Sequence, residues 1–172
     1  MPDARCANAL LDTSVLINFL AVDRAALLGS HPDFHFAVTE HVRLEITAHY
    51  GDQLVRLETA FKDGLLQETR VEAIEELGHF AKLSQNPRLG LGECAAIAAA
   101  IGRGRALAID DRAARKAATS LSPTHHILDT QAFMIALVRS GMLEVAEADN
   151  IKDAWELHHS FRLKIRSFGD AL

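Results

Sequence analysis

Four short apolar runs, at 8–12, 34–38, 105–109 and 126–128, each give way to a polar residue and then to a helical pattern. That repeated strand-then-helix alternation predicts an α/β sandwich around a central, mainly parallel sheet. The first run, NALLD, leads into a helix from Thr13, and the second, FHFAV, into a helix from Thr39, a good N-cap. The spacing of Leu54, Val55, Leu57 and Phe61 predicts a helix over 51–63. Residues 65–71 read as a short strand or an extended connection. Ile74, Leu77, Phe80 and Ala81 mark the apolar face expected of a helix over 73–83, which SQNPRLGLG then breaks. An Ala- and Ile-rich buried helix is expected over 91–102, ended by Gly102 and Gly104. RALAI is the third strand, with a helix from about Asp111. HIL is the fourth, with a helix over 130–139 ended by Gly141. Residues 144–166 predict one or two helices outside this pattern.

With 172 residues and 49% hydrophobic content, one globular domain with a sizeable core is expected. The net charge of −5 gives no global basic field, so broad non-specific nucleic-acid binding is not expected to be strong. Cys6 and Cys94 make neither a disulfide framework nor a paired-thiolate metal site, and Cys94 reads as a buried free thiol. MPDARCANALL has an acid before its apolar stretch and no long h-region, unlike a signal peptide. No run reaches the roughly 18 apolar residues of a spanning helix. The expectation is a cytoplasmic protein that does not engage a membrane.

The acids are placed unusually. Asp12 lies in ALLDTSVLINFL, Glu45 in FAVTEHVRLEI, Glu93 in LGLGECAAIAAA, and Asp110 and Asp111 in RALAIDDRAARKAA. In an open parallel sheet, functional groups gather beyond the carboxyl ends of the strands. Asp12 and Asp110–Asp111 follow strands directly. Glu45 sits about two turns into the second helix, and Glu93 opens the Ala-rich helix. Each also has a plainer reading: a helix cap for Asp12, Asp110 or Asp111, a solvated face for Glu45, and a dipole partner for Glu93. If they converge, two carboxylates about 4 Å apart repel by roughly 4 kcal/mol at an effective dielectric of about 20. A hard divalent cation, Mg²⁺ or Mn²⁺, is the simplest remedy.

Together these phrases resemble the PIN-domain family of metal-dependent ribonucleases over about residues 8–143. ALLDTSVLINFL is similar to the family's opening strand, Asp and apolar helix, and VTEHVRLEI to its second motif. LGLGECAAIAAAIGRGRALAIDDRAARKAA is similar to the third and fourth motifs of a subgroup that carries Glu where many members carry Asp. HHILDTQAFMIALVRSGML resembles that subgroup's last strand and helix. The resemblance implies a three-layer α/β/α sandwich, with a nuclease domain over 1–143 and a C-terminal helical extension over 144–172 packed on it. It implies an endoribonuclease dependent on Mg²⁺ or Mn²⁺, with Asp12, Glu45, Glu93 and one or both of Asp110 and Asp111 as catalytic metal ligands. Asp110 is placed first because it ends the strand. Many members are toxins of toxin–antitoxin pairs, so single-stranded or structured RNA, an antitoxin protein and a second copy in a homodimer are the implied partners.

Further residues complete the reading. Thr13 and Ser14 either hydrogen-bond Asp12 and water in the site or simply open the helix. Arg112, Arg115 and Lys116 lie one turn apart on a helix starting at the site and are candidates for phosphate contacts; an ordinary solvated face is the alternative. Asp129 reads as an N-cap ahead of a peripheral ligand. The nine histidines form no HExxH phrase and are read as surface or satisfied core groups. A receiver domain would need an acid pair after strand one. A haloacid-dehalogenase-like enzyme would need D-x-D where LDTSV has Ser14. The serious rival is a PIN-like RNA- or protein-binding module with weak or no nuclease activity. Trp155, Leu157, Phe161, Leu163, Ile165 and Phe168 keep no helical stripe, and either cover the core or form a dimer contact.

Overall fold

The structure, a computed structural model, describes residues 7–172; segment 1–6, with Cys6, lies outside the described residues. Five parallel strands form one sheet: β1 (Ala9–Leu11), β2 (Phe36–Thr39), β3 (Gln67–Thr69), β4 (Ala106–Ala108) and β5 (Ile127–Leu128), in the order β3-β2-β1-β4-β5. Register pairs Leu10 with Ala37 on one side and with Leu107 on the other. Strand period then divides the core in two. Ala9, Leu11, Phe36, Val38, Ala106, Ala108 and Leu128 face one layer, while Leu10, Ala37, Leu107 and Ile109 face the other. This is the α/β/α sandwich expected from the alternation.

The helices are α1 (Thr13–Ala21), α2 (Glu40–His49), α3 (Gly51–Lys62), α4 (Ile74–Leu83), α5 (Leu91–Arg103), α6 (Arg112–Leu121), α7 (Thr130–Arg139) and α8 (Val145–His158). The first layer buries Phe19 of α1, Phe133 of α7 and Trp155 of α8, with Phe19 4.8 Å from Phe133 and 5.9 Å from Trp155 between ring centroids. The second layer is built on α5, whose Cys94–Ala100 stretch is wholly buried. Small side chains there let α5 lie close to both the sheet and α4. The Cys94 thiol is free, and burial pushes its pKa up to about 11. Among the described residues no helix is long and apolar enough to cross a membrane.

The face of α4 differs from its expected orientation. Ile74 is 90% and Leu77 48% exposed, while Glu76 and Leu83 are buried. The cause is Gly102 on α5: a Cβ there would lie 2.7 Å from Glu76 Cγ. Glu76 fills that space and accepts from Arg103 Nε at 2.6 Å, and Arg103 also donates to Thr69 Oγ1 at 2.7 Å. A well-bonded buried ion pair thus takes the inward place that periodicity assigned to an apolar stripe. The tail covers the core. Phe161, Leu163, Ile165 and Phe168 join the first layer with Trp155, while Leu157 is exposed. The tail had no helical stripe because residues 160–167 are irregular, between α8 and a short 3₁₀ turn at Phe168–Ala171.

Candidate active site

The strand order turns at β1, whose neighbours are β2 and β4, so a crevice opens beyond the carboxyl ends of β1 and β4. Asp12 follows β1 and caps α1: its Oδ2 accepts from Ser14 N at 3.0 Å and Ser14 Oγ at 2.7 Å. The same Ser14 Oγ accepts from the Asp110 N–H at 2.9 Å, tying the end of β1 to the end of β4. Asp12 Oδ1 is buried and has no hydrogen-bond partner. Burial, with Glu45 nearby, pushes the Asp12 pKa from its ordinary 3.8 up to about 6, against the lowering effect of Ser14.

Glu45 comes in from α2. Its Oε2 accepts from Thr13 Oγ1 at 2.6 Å and its Oε1 from Gly92 N at 2.9 Å. Only glycine permits this, because a Cβ on residue 92 would lie 2.7 Å from Glu45 Oε1. Glu93 turns back on its own helix start, accepting from Gly90 N at 2.9 Å through Oε2. Burial first, then repulsion from Asp12, Asp111 and Glu45, pushes its pKa up to about 7. Asp111 caps α6 through Oδ1, which accepts from Ala114 N at 2.8 Å, and among the described residues its Oδ2 accepts no hydrogen bond.

Asp12, Glu45, Glu93 and Asp111 therefore line one cleft of about 400 Å³, with Thr13 and Ser14 in its wall. Asp110 does not line it. Both its oxygens are engaged: Oδ1 by Thr130 N at 2.8 Å, and Oδ2 by Thr130 Oγ1 at 2.6 Å and Asn18 Nδ2 at 3.0 Å. The strand-end position that favoured Asp110 instead turns it toward the α1–α7 contact, and Asp111 reaches the cleft. Asp129 is an N-cap, accepting from Ala132 N at 2.8 Å, and pairs with Arg115 at 3.1 Å.

The three α6 bases do not share a groove. Arg112 and Arg115 line one beside Asp110 and Asp129, and Lys116 lines another with Lys82 and Arg88. Arg88 also reaches the acid cleft, as do His49 and Tyr50. Sequence reasoning missed Asn18, Thr130 and Gly92. Asn18 and Gly92 left a trace, a lone amide in an apolar helix and a G-x-G before the Glu; Thr130 left none.

The donor set suits a hard cation. Every cleft acid offers oxygen, each is pinned by backbone or hydroxyl donors, and Asp12, Glu93 and Asp111 each keep an oxygen that accepts no hydrogen bond from a described residue. Among the described residues no three His, Cys, Asp or Glu side chains close on one point as a metal cage. Mg²⁺ does not need one, since it keeps several waters and takes one or two carboxylates. An orphaned buried carboxylate oxygen among like charges is the feature such an ion would satisfy.

An all-parallel α/β/α sandwich with an acid cleft at its switch point defines the class. The family model described as the PIN domain matches residues 8–153, and the chain belongs to the PIN-domain family. PIN domains are generally nucleases and typically use divalent metal ions. No curated protein sequence matches the chain.

Proposed function

We propose that the chain is an endoribonuclease that hydrolyses RNA phosphodiester bonds with Mg²⁺ or Mn²⁺. One observation carries this reading: Asp12 Oδ1 is buried and unpartnered among the described residues, on a carboxylate that lines one cleft with those of Glu45, Glu93 and Asp111. A bound divalent ion there supplies positive charge that neutralises the carboxylates and polarises the scissile phosphate. Asp12 and Asp111 would hold it, with Glu93. Glu45, fixed at both oxygens, orients water or the ion's surroundings. Thr13 holds Glu45, and Ser14 holds Asp12 and the β4 end, so both act as positioning residues. Asp110, bonded to Thr130 and Asn18, fixes the turn that presents Asp111. Arg88, which lines the cleft, is the candidate cation for a substrate phosphate.

The test is Asp12→Asn beside wild type on a fluorescent RNA, with Mg²⁺, Mn²⁺ or chelator. Wild type should cleave with either ion and stop with chelator, and Asp12→Asn should lose at least 100-fold. Equal rates in the two proteins would remove the mechanism. A wild type that binds RNA, cleaves none and melts identically with and without Mn²⁺ is the binding module instead. The toxin role and the homodimer rest on the resemblance to the toxin-like subgroup. Growth arrest on induction, relieved by a small neighbouring gene product, tests the first. Solution mass tests the second.

A further inference from the structure

The tail beyond the family match reads S-F-R-L-K-I-R-S-F over 160–168, alternating apolar and basic residues. The structure keeps that alternation. Phe161, Leu163 and Ile165 pack on the first core layer, while Arg162, Lys164 and Arg166 are exposed. Both ends are fastened. Phe161 sits 5.4 Å from Trp155 between ring centroids, and its N–H donates to Trp155 O at 3.2 Å. At the other end Asp149 accepts from Ser167 Oγ at 2.7 Å and from Phe168 N at 2.8 Å. The segment is a strap held flat on the domain with a row of cations facing out.

Two of those cations, Arg162 and Lys164, form one wall of a groove of about 520 Å³. Arg162 and Lys164 stand on the strap, and Arg112 and Arg115 on α6, with Asp110 and Asp129 between. The two acids are already engaged, Asp110 by Thr130 and Asn18, and Asp129 by Arg115. Arg162 pairs with Glu156 outside the groove, and Arg112 and Lys164 make no ion pair with a described residue. Four cations, Arg112, Arg115, Arg162 and Lys164, stand against Asp110 and Asp129 in its lining, so even with Glu156 paired to Arg162 the groove is net positive by formal charge on a chain whose formal charge is −5. It also adjoins the acid cleft, because Asp110, Asp111 and Arg112 are consecutive. Asp111 faces the cleft and its two neighbours face the groove.

We propose that this strap is a nucleic-acid-binding wall added to the nuclease domain, gripping the phosphate backbone of single-stranded RNA where it runs past the acid cleft. The proposal rests on the ribonuclease reading. A strand cut within its length must continue beyond the scissile phosphate, and this groove is positive, rigid and contiguous with the cut site. At full extension strap cations two residues apart would lie roughly 7 Å apart, which sets the upper limit for this irregular segment and is on the scale of one nucleotide. The strap would then raise affinity for longer RNA without touching the reacting atoms.

The experiment measures binding of a labelled single-stranded 12-mer across a salt series, with Mg²⁺ in the uncut Asp12→Asn background, and cleavage of the 12-mer and of a dinucleotide by otherwise wild-type chains. Each single-strand phosphate contact contributes about 0.7 to the slope of log affinity against log salt. Lys164→Gln should lower the slope by about 0.7, and Arg162→Gln/Lys164→Gln by about 1.4. Both should raise KM for the 12-mer several-fold with kcat unchanged, and leave the dinucleotide untouched. Lys62→Gln, an exposed cation of α3 outside this groove, is the charge-matched control. Trp155 fluorescence, which reports on Phe161 packing, checks that the strap stays seated. A strap variant indistinguishable from Lys62→Gln, or equal losses on dinucleotide and 12-mer, overturns the strap and leaves the nuclease standing. A wild type that neither binds nor cuts RNA overturns both.

Discussion

Asp12→Asn should stabilise the ion-free protein while destroying its activity. In the folded chain the Asp12 carboxyl is pushed from 3.8 up to about 6, chiefly by burial. Each pKa unit is 1.36 kcal/mol, so ionising Asp12 in place costs about 2–3 kcal/mol at pH 8. The opposing hydrogen bonds from Ser14 are already contained in that value. Asparagine keeps the N-cap, since its oxygen can still accept from Ser14, and it places an amide where the orphaned oxygen stood. The sign follows from linkage: the folded carboxyl binds its proton more tightly than the unfolded one, so the folded state loses stability as pH rises from about 4 to 7. The penalty is absent below the ordinary value, roughly half-developed at pH 5 and complete by pH 8. In chelator at pH 8 the variant should melt roughly 4–10 °C above wild type, and the gap should narrow toward pH 5. Saturating Mn²⁺ should then raise wild type and close the gap. A variant that melts below wild type in chelator at pH 8, or a gap that does not change with pH, refutes the reasoning.

Gly92→Ala should leave stability within about 1 kcal/mol of wild type, because the added methyl meets only the carboxyl end of the Glu45 side chain, which can turn aside at the loss of its bonds to Thr13 and Gly92 N, and alanine favours the helix. It should nonetheless cut RNA cleavage at least 10-fold by displacing Glu45. Gly102→Ala should behave in the opposite way, losing about 1–3 kcal/mol in urea as it pushes Glu76 from Arg103, with the cleavage rate of the folded fraction unchanged. Thr130→Val removes the hydroxyl and leaves Asp110 Oδ2 with Asn18 alone, so stability should fall by about 1–3 kcal/mol and activity should drop with it through Asp111. Trp155→Phe loses the bond to Asn18 O, 2.6 Å long, and core volume, and should cost about 2 kcal/mol by thermal melting read in the far ultraviolet.

Most of the fold was legible because the signals were local. The strand runs are short and bounded by caps, and Thr39 caps α2 as its position suggests, accepting from Val42 N at 3.3 Å. What failed was non-local. Nothing in IEELGHFAKL says that Glu76 will turn inward, because the reason lies on another helix, in a glycine 26 residues later whose missing side chain leaves room. Asp110 and Asp111 could not be ranked from their order alone. Their roles depend on Asn18 and Thr130, which bond the first and leave the second facing the crevice. Thr130 follows an ordinary N-cap and carries no mark of that task. The assembly of Asp12, Glu45, Glu93 and Asp111 was legible as a set because Asp12 and Asp111 follow strands, Glu93 opens a helix and Glu45 lies in the helix that follows β2, places a parallel sheet gathers at one edge.

The plain and the functional readings of these acids turn out to be one arrangement. Asp12 and Asp111 do cap helices, and Glu93 does bond the start of its own helix. A carboxylate has two oxygens and about four acceptor sites, so a cap consumes only part of it. The bond to the helix restrains the rotamer of the side chain and leaves its second oxygen without a hydrogen bond from a described residue, on a side chain that lines the crevice. The helix N-terminus also favours negative charge, by roughly 0.3–1 kcal/mol, which partly offsets the mutual repulsion while the cleft holds no cation. Pinning by caps therefore does for this cleft what a rigid second shell does elsewhere: it holds open ligand atoms in place before any ion arrives. Asp110 shows the limit of the device, because three of its roughly four acceptor sites are taken by Thr130 and Asn18 and its side chain lies outside the cleft.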